Sequence, residues 1–181
     1  VLKQSYQNIE IIISNNCSTD NTKIFLDKIS ETDQRIKIFN QKKEISSGEN
    51  FQFVFDKSKG KYFRWNASDD FMSQNYIKDN FNFLEKNKDY IASSSKFFFE
   101  NDKNYHFSHN LNENLYSRLK HFFNIRYSSH NIFYSLIRTK NLKKVIRMSK
   151  DCLAIDWMVN LDLLLNGKFK TIEESYIIFS C

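Results

Sequence analysis

Two aspartates, Asp69 and Asp70, stand side by side shortly after the run Lys61-Tyr62-Phe63-Arg64-Trp65. Adjacent carboxylates repel each other and cost stability unless something cationic compensates. A hard divalent ion bridging to ligand phosphates would do so. So would the N-terminus of a helix expected to start near Ser73, where the macrodipole favours anions. Taken alone, the doublet is explained by capping. A second polar group, Asn15-Asn16-Cys17-Ser18-Thr19-Asp20-Asn21-Thr22, follows the apolar run Ile9–Ser14 and is full of turn and cap formers. His106, His109, His121 and His130 contain no i, i+4 pair, so they read as loop or surface residues rather than metal ligands. Cys17, Cys152 and Cys181 are far apart and show no CxxC spacing, which points to a reducing compartment and no structural zinc.

The elements that must position these residues follow from periodicity. Val1–Tyr6 reads as the end of a helix. Ile9–Ser14 is a continuous β-branched run of the kind found in buried parallel strands. Ile24, Phe25 and Ile29 carry a helical period, and Arg35–Asn40 alternates as a strand. Gly48-Glu49-Asn50 opens a second helix with Phe51, Val54 and Phe55 as its expected buried stripe and Gly60 as its C′ residue. A strand over Lys61–Trp65 leads into the aspartates. A helix over Ser73–Lys88 and an extended segment through Phe99 come next, with Phe97-Phe98-Phe99 expected as buried strand. Glu100–Asn114 reads as a loop, long for a compact domain. Helices are then expected at Leu115–Phe123, Asn141–Met148 and Ala154–Leu165, the last capped by Gly167. Strands are expected at Asn131–Arg138 and Lys168–Phe179. Strand and helix alternate in the first half, which predicts an α/β fold with a parallel sheet flanked by helices. In such sheets ligands bind beyond the carboxyl ends of strands, where both polar groups sit.

Composition narrows the classes. At 181 residues with 41% hydrophobic and 16% aromatic side chains, the chain can bury a sizeable core. Its apolar runs fall far short of the roughly 20 residues of a membrane span. With no proline and 3 glycines, collagen-like and Pro-rich readings are excluded. The net charge of +6 suits a solvated Lys-rich surface, and there is no basic stripe or RNP-like motif, so nucleic acid is not an expected partner.

Four blocks, taken in order and spacing, resemble family 2 glycosyltransferases. Val1-Leu2-Lys3-Gln4-Ser5-Tyr6 is similar to the end of the family's first helix, and Asn8-Ile9-Glu10-Ile11-Ile12-Ile13-Ser14-Asn15-Asn16-Cys17-Ser18-Thr19-Asp20-Asn21-Thr22 to its second strand and loop. Gly48-Glu49-Asn50-Phe51 and Lys59-Gly60-Lys61-Tyr62-Phe63-Arg64-Trp65 resemble the segment leading to the acidic motif, and Ser68-Asp69-Asp70 sits at its DxD-type motif. The match is close over residues 1–90. Further on, Asn131–Arg138, Ala154-Ile155-Asp156-Trp157 and Asn166–Phe169 resemble members that build bacterial surface polysaccharides.

The resemblance implies a single GT-A domain, Rossmann-like, with a mostly parallel sheet whose first strand precedes Val1. Residues 1–90 would form the nucleotide-sugar half and 91–181 the acceptor half. It implies a hexosyltransferase-type enzyme that moves a sugar from a nucleotide-sugar to a saccharide or lipid-linked acceptor with inversion. Asp70 would hold a divalent cation, Mn²⁺ or Mg²⁺, and Asp69 would face the ribose or sugar. Ser14, Asn15, Asn16, Ser18 and Asp20 would line the nucleobase and ribose pocket, with Asn50 and Ser68 also on the donor side. Asp156 would be the general base. An acid opening a helix is also favourable through the macrodipole alone, so both readings of Asp156 stand. Asp20 likewise reads as a helix cap, and Trp157 as a residue that could stack on a sugar. Asn15 and Asn16 replace the carboxylates that often contact the nucleobase, which leaves a catalytically inactive nucleotide-sugar-binding or scaffold domain as the alternative. A fragment lacking its first strand is expected to show weak or absent activity. The expected location is cytoplasmic, with peripheral contact at the inner membrane face.

Overall fold

The computed structural model describes residues 1–111, 114–124, 128–145, 148 and 154–180. Cys152, Cys181 and part of the helix expected over Asn141–Met148 lie outside the described residues. The chain divides into two compact units.

The smaller unit comprises Asn8–Gly60 and Arg147–Ile155. Its strands β1 (Ile11–Asn15) and β2 (Ile36–Asn40) pair in parallel, Ile11 opposite Ile36 and Asn15 opposite Asn40. Helix α1 (Thr22–Thr32) connects them and buries Leu26. Helix α2 (Ser47–Lys57) begins with a capping box: the Ser46 hydroxyl accepts from the Glu49 N–H, and the Glu49 carboxylate accepts from the Ser46 N–H. Its buried residues are Gly48 and Gln52; Phe51, Val54 and Phe55 are only half-buried. Burying Gln52 is compensated, because its amide donates to Asp56 and accepts from the Met148 N–H. Gly60 is not a left-handed cap. The helix ends at Lys57 with the Ser58 N–H bonded to the Phe55 carbonyl, and Gly60 instead donates its N–H to Glu10. Glu10 also accepts from the Lys59 N–H and Lys37, which fastens the start of β1 to the segment after α2.

The larger unit comprises Val1–Gln7, Lys61–Ile146 and Asp156–Cys181. It is built on a mixed seven-stranded sheet in the order β3-β8-β5-β9-β4. These strands are β3 (Tyr62–Phe63), β4 (Phe71–Met72), β5 (Tyr90–Phe99), β8 (Leu136–Arg138) and β9 (Lys168–Phe179). β6 (Asp102–Phe107) pairs with β5, and β7 (Asn110–Leu111) with β9, so the expected loop over Glu100–Asn114 is largely sheet. β5 and β9 run parallel over a ladder with two register shifts; the other described pairings in this sheet are antiparallel. Helices α3 (Tyr76–Lys86), α4 (Leu115–Asn124), α5 (Ser128–Phe133), α6 (Thr139–Leu142) and α7 (Ile155–Asn166) accompany the sheet. The strand expected over Asn131–Arg138 is thus split, its first residues ending α5. Asn131 and Ile132 are fully buried there, and Asn131 hydrogen-bonds Thr171.

The expected helix end at Val1–Tyr6 is a turn, closed by Gln4 N–H to the Val1 carbonyl. The Gln4 side chain donates to the Ser73 carbonyl and accepts from the Ile77 N–H, so it serves the start of α3 rather than a helix of its own. Strand β5 is buried along most of its length, including Ser93, Ser94 and Ser95. Their hydroxyls are absorbed in a polar network with Tyr76, Asn80, Asn131 and Ser175. Phe97 is fully buried as expected, in a cluster with Met72, Tyr76, Ile177 and Phe179. Gly167 leads from α7 into β9 because a Cβ there would lie 2.3 Å from Ile91 Cγ2.

Candidate functional site

In the smaller unit the loop after β1 is fixed by its own side chains. Asn15 donates to Asn40 at 2.9 Å and accepts from the Ser18 N–H at 3.1 Å. Asn16 makes a two-way bridge with Ile45, donating to its carbonyl and accepting from its N–H. Ser14 accepts from Gln41 at 2.9 Å. Cys17, a free thiol, takes a φ of 61°, a left-handed conformation rare outside glycine. Asp20 is exposed and accepts from the Thr22 N–H at the mouth of α1; hydrogen bonds from Thr22 hold its carboxyl below the usual range. The N-cap of α1 is Asn21, with no side-chain cap hydrogen bond, so Asp20 stands one residue ahead of the expected capping position. Asn50, in the first turns of α2, carries a buried Oδ1 with no partner. Both amides of Asn15 and Asn16 are therefore engaged in shaping the loop.

In the larger unit the acidic doublet lies between β3 and β4. The strand expected through Trp65 forms ladder pairs only at Tyr62 and Phe63. Trp65 is core, 2% exposed, and stacks on Phe133 with ring centroids 4.6 Å apart. Ser68 and Asp69 are exposed and Asp70 is half-buried. Helix α3 starts only at Tyr76, after β4, with Asn75 as its N-cap. Capping therefore does not account for the doublet.

Several charges act on Asp70. Burial pushes its carboxyl above the usual range, the Arg64 guanidinium draws it down, and Asp69 pushes it up again. A backbone bond from Ser180 and the charge of His130 also favour the carboxylate. Asp70 Oδ2 is buried and has no hydrogen-bond partner among the described residues. Ser180 Oγ donates to the Asp69 carbonyl and Glu100, each at 3.2 Å, tying the end of β9 to the doublet.

Asp156 lies in the first turn of α7, where the macrodipole reading still applies. Tyr134 connects it with the doublet. Burial first, then the charges of Asp70, Asp156 and Asp69, push the Tyr134 phenol up to about 12, with Arg64 opposing. The three carboxylates thus act on one hydroxyl, although they are far apart in sequence. Trp157 is 39% exposed and lies against Phe122 and Phe123 of α4, with centroids 4.9 and 6.0 Å away.

Sequence reasoning assigned no role to Arg64 or Tyr134 and read His130 as a loop or surface residue. A signal for Arg64 was present, a cation inside the otherwise aromatic run Tyr62-Phe63-Arg64-Trp65. Tyr134 carried none. His109, expected at the surface, is 1% exposed. Its ring nitrogens have no hydrogen-bond partner among the described residues, and its ring centroid lies 5.9 Å from that of His121. The His106 side chain lies outside the described residues. Among the described residues no three His, Cys, Asp or Glu side chains converge as a metal cluster.

Residues 1–146 match the family model described as glycosyl transferase family 2. A glycosyltransferase of Haemophilus influenzae is 35% identical over 95 residues, 52% of this chain and 29% of that protein. The glycosyltransferase GlyG of Streptococcus pneumoniae is 31% identical over 108 residues, 59% of this chain and 36% of that protein. The chain thus matches only about a third of these relatives' length. Among solved structures, S. aureus TarS 1–349 in complex with UDP superposes with a TM-score of 0.77 at 17% identity, covering 99% of this chain and 54% of that one. The mannosyltransferase PcManGT of Pyrobaculum calidifontis, in complex with GDP-Man and Mn²⁺, superposes with a TM-score of 0.69 at 10% identity, covering 98% of this chain and 50% of that one.

Proposed function

Because the chain belongs to glycosyl transferase family 2 and has the GT-A fold, we propose that it moves a hexose from a nucleotide-sugar to an acceptor hydroxyl with inversion. The observation that carries this reading is the shared action of Asp69, Asp70 and Asp156 on Tyr134. Charges of the acidic motif and of the candidate base acting on one phenol support a shared site, as transfer between two bound substrates needs. Residues 1–90 form the donor half and residues 91–181 the acceptor half. Asp156 takes the proton from the attacking hydroxyl as that oxygen bonds to the anomeric carbon, while the bond to the diphosphate breaks and its electrons leave with the phosphate. Asp69 faces the ribose or sugar, with Ser68 beside it. Ser14, Asn15, Asn16, Ser18, Asp20 and Asn50 line the nucleobase and ribose. Trp157 offers an exposed ring face to the acceptor.

The residues fit a divalent cation. The buried, partnerless Asp70 Oδ2 is an atom that a cation would satisfy, and a diphosphate and water would complete the shell. Mn²⁺ or Mg²⁺ held there would neutralise the departing diphosphate. Solved neighbours carry UDP, UDP-GlcNAc or GDP-Man, which supports a nucleoside diphosphate donor. The acceptor is a saccharide or lipid-linked saccharide in polysaccharide or glycolipid assembly at the cytoplasmic face of a bacterial membrane. No helix among the described residues is long and apolar enough to cross a membrane, and the +6 charge favours peripheral contact.

The engagement of Asn15 and Asn16 within their own loop favours a second reading, a nucleotide-sugar-binding domain without catalysis. Calorimetric titration with UDP, GDP and dTDP, with and without Mn²⁺, tests the site, with Asp70→Asn as the control. Binding that requires both metal and Asp70 is expected; binding indifferent to both refutes the metal role. Donor hydrolysis that tracks binding separates enzyme from scaffold.

A further inference from the structure

Arg64 lies just beyond β3, two residues after Tyr62 and six before Asp70. Its guanidinium carbon sits 4.8 Å from the centroid of the Tyr76 ring. That ring is fully buried, and its hydroxyl is hydrogen-bonded to Ser94 at 2.9 Å. Nη1 donates to the Asn66 side chain. The guanidinium is therefore held in place from one face and one edge. Its other two nitrogens, Nε and Nη2, are buried and have no hydrogen-bond partner among the described residues. These are the two donors that form a parallel fork towards an oxyanion.

The charge of Arg64 acts on Asp70, whose Oδ2 is also buried and, among the described residues, without a hydrogen-bond partner. Arg64 and Asp70 feel one another's charge, yet among the described residues no ion pair joins them. A donor fork and an acceptor oxygen left open in one region form a complementary pair of vacancies. Buried polar atoms without partners are rare in native proteins and mark the place of a water, an ion or a ligand. The Nε–Nη2 edge is buried, and neither the Tyr76 face nor the neutral Asn66 amide supplies it with an acceptor.

We propose that Arg64 is an anion-binding residue whose Nε–Nη2 fork takes an oxygen pair of the donor's diphosphate, beside the cation-binding oxygen of Asp70. The inference rests on the reading of Asp70 as the cation and nucleotide residue. It assigns part of the leaving group's charge to a fixed side chain, independent of the metal. Tyr76 and Asn66 then act as positioning residues that keep the fork aimed. Arg64→Lys is not conservative here, because an ammonium keeps the charge but loses the fork.

The test is calorimetric titration of the full chain with UDP and GDP, and with uridine and guanosine, in the absence and presence of Mn²⁺. Arg64→Gln is expected to weaken diphosphate binding at least about tenfold even without metal, the loss expected for one charge-assisted fork. Nucleoside affinity should stay within twofold. Arg64→Lys should fall between wild type and Arg64→Gln, and it decides the question if the Gln variant does not fold. Asp70→Asn should remove the metal-dependent gain and leave the Arg64-dependent part. Unchanged diphosphate affinity in a folded Arg64 variant overturns the proposal and assigns the two nitrogens to bridging water. Equal losses for nucleoside and nucleotide overturn it in favour of a structural role. Either result leaves the Asp70 reading standing. Absence of nucleotide binding by the wild-type chain would sink both.

Discussion

Asp156 has two proposed roles, helix-dipole carboxylate and general base, that a substitution can separate. A helix-dipole carboxylate contributes stability, whereas a general base contributes rate. Asp156→Asn is expected to lower kcat by about 10²–10⁴-fold while donor affinity, read by titration, stays near wild type. Unchanged turnover would return Asp156 to the dipole role. His109 makes a separate prediction. Burial, and secondarily the charge of His121, lower its imidazole from 6.5 to about 4. The folded state therefore binds fewer protons than the unfolded state between those values, so stability rises with pH across that window. Acidification from pH 7 to 4 is expected to cost on the order of 3 kcal/mol from this group alone. Urea titrations across that range should show the slope flattened in His109→Leu, which also removes two unpartnered buried nitrogens. An unchanged slope would assign the pH dependence to other groups.

Local chemistry is tested most directly at the scale of elements. The Ser46–Glu49 capping box closes the N-terminus of α2 within four residues, and Ser46→Ala should cost about 1 kcal/mol by denaturant midpoint. Gly167 is different, because its φ is not positive and the constraint is space. Gly167→Ala drives a Cβ to 2.3 Å from Ile91 Cγ2 and should cost about 1–3 kcal/mol. Ile91→Ala in the same background should return part of that loss; two simply additive losses would place the strain elsewhere. Elements whose signals are local were legible in the residues: β1, α1, β2 and α2 carry period, cap and turn chemistry within a few residues. β6 and β7 were not, because a polar run such as Asp102–Phe107 becomes a strand only when β5 offers its edge. The start of α5 was missed for a related reason. Buried Asn131 is stabilised there by Thr171, 40 residues away.

For the whole molecule, the larger unit is organised around β5 and β9, with nine registered pairs. Most β5 residues from Ile91 to Phe97 are buried. Amides of these two strands should therefore exchange last in native-state hydrogen exchange, after those of β1 and β2, whose residues are mostly half-buried. Faster exchange in β5 than in β1 would contradict that ordering. The sequence by itself determined the family, the GT-A fold and the alternation of strand and helix, because these rest on local period and on motifs within short windows. It also determined that Asp69 and Asp70 needed an explanation. Only the tertiary structure removed the capping explanation, by inserting β4 before α3. Only it brought the charges of Asp156 and the doublet to bear on Tyr134, and left two buried Arg64 nitrogens without a partner among the described residues. Charge, burial and unmet hydrogen bonds depend on which distant segments meet, and no local window contains that information.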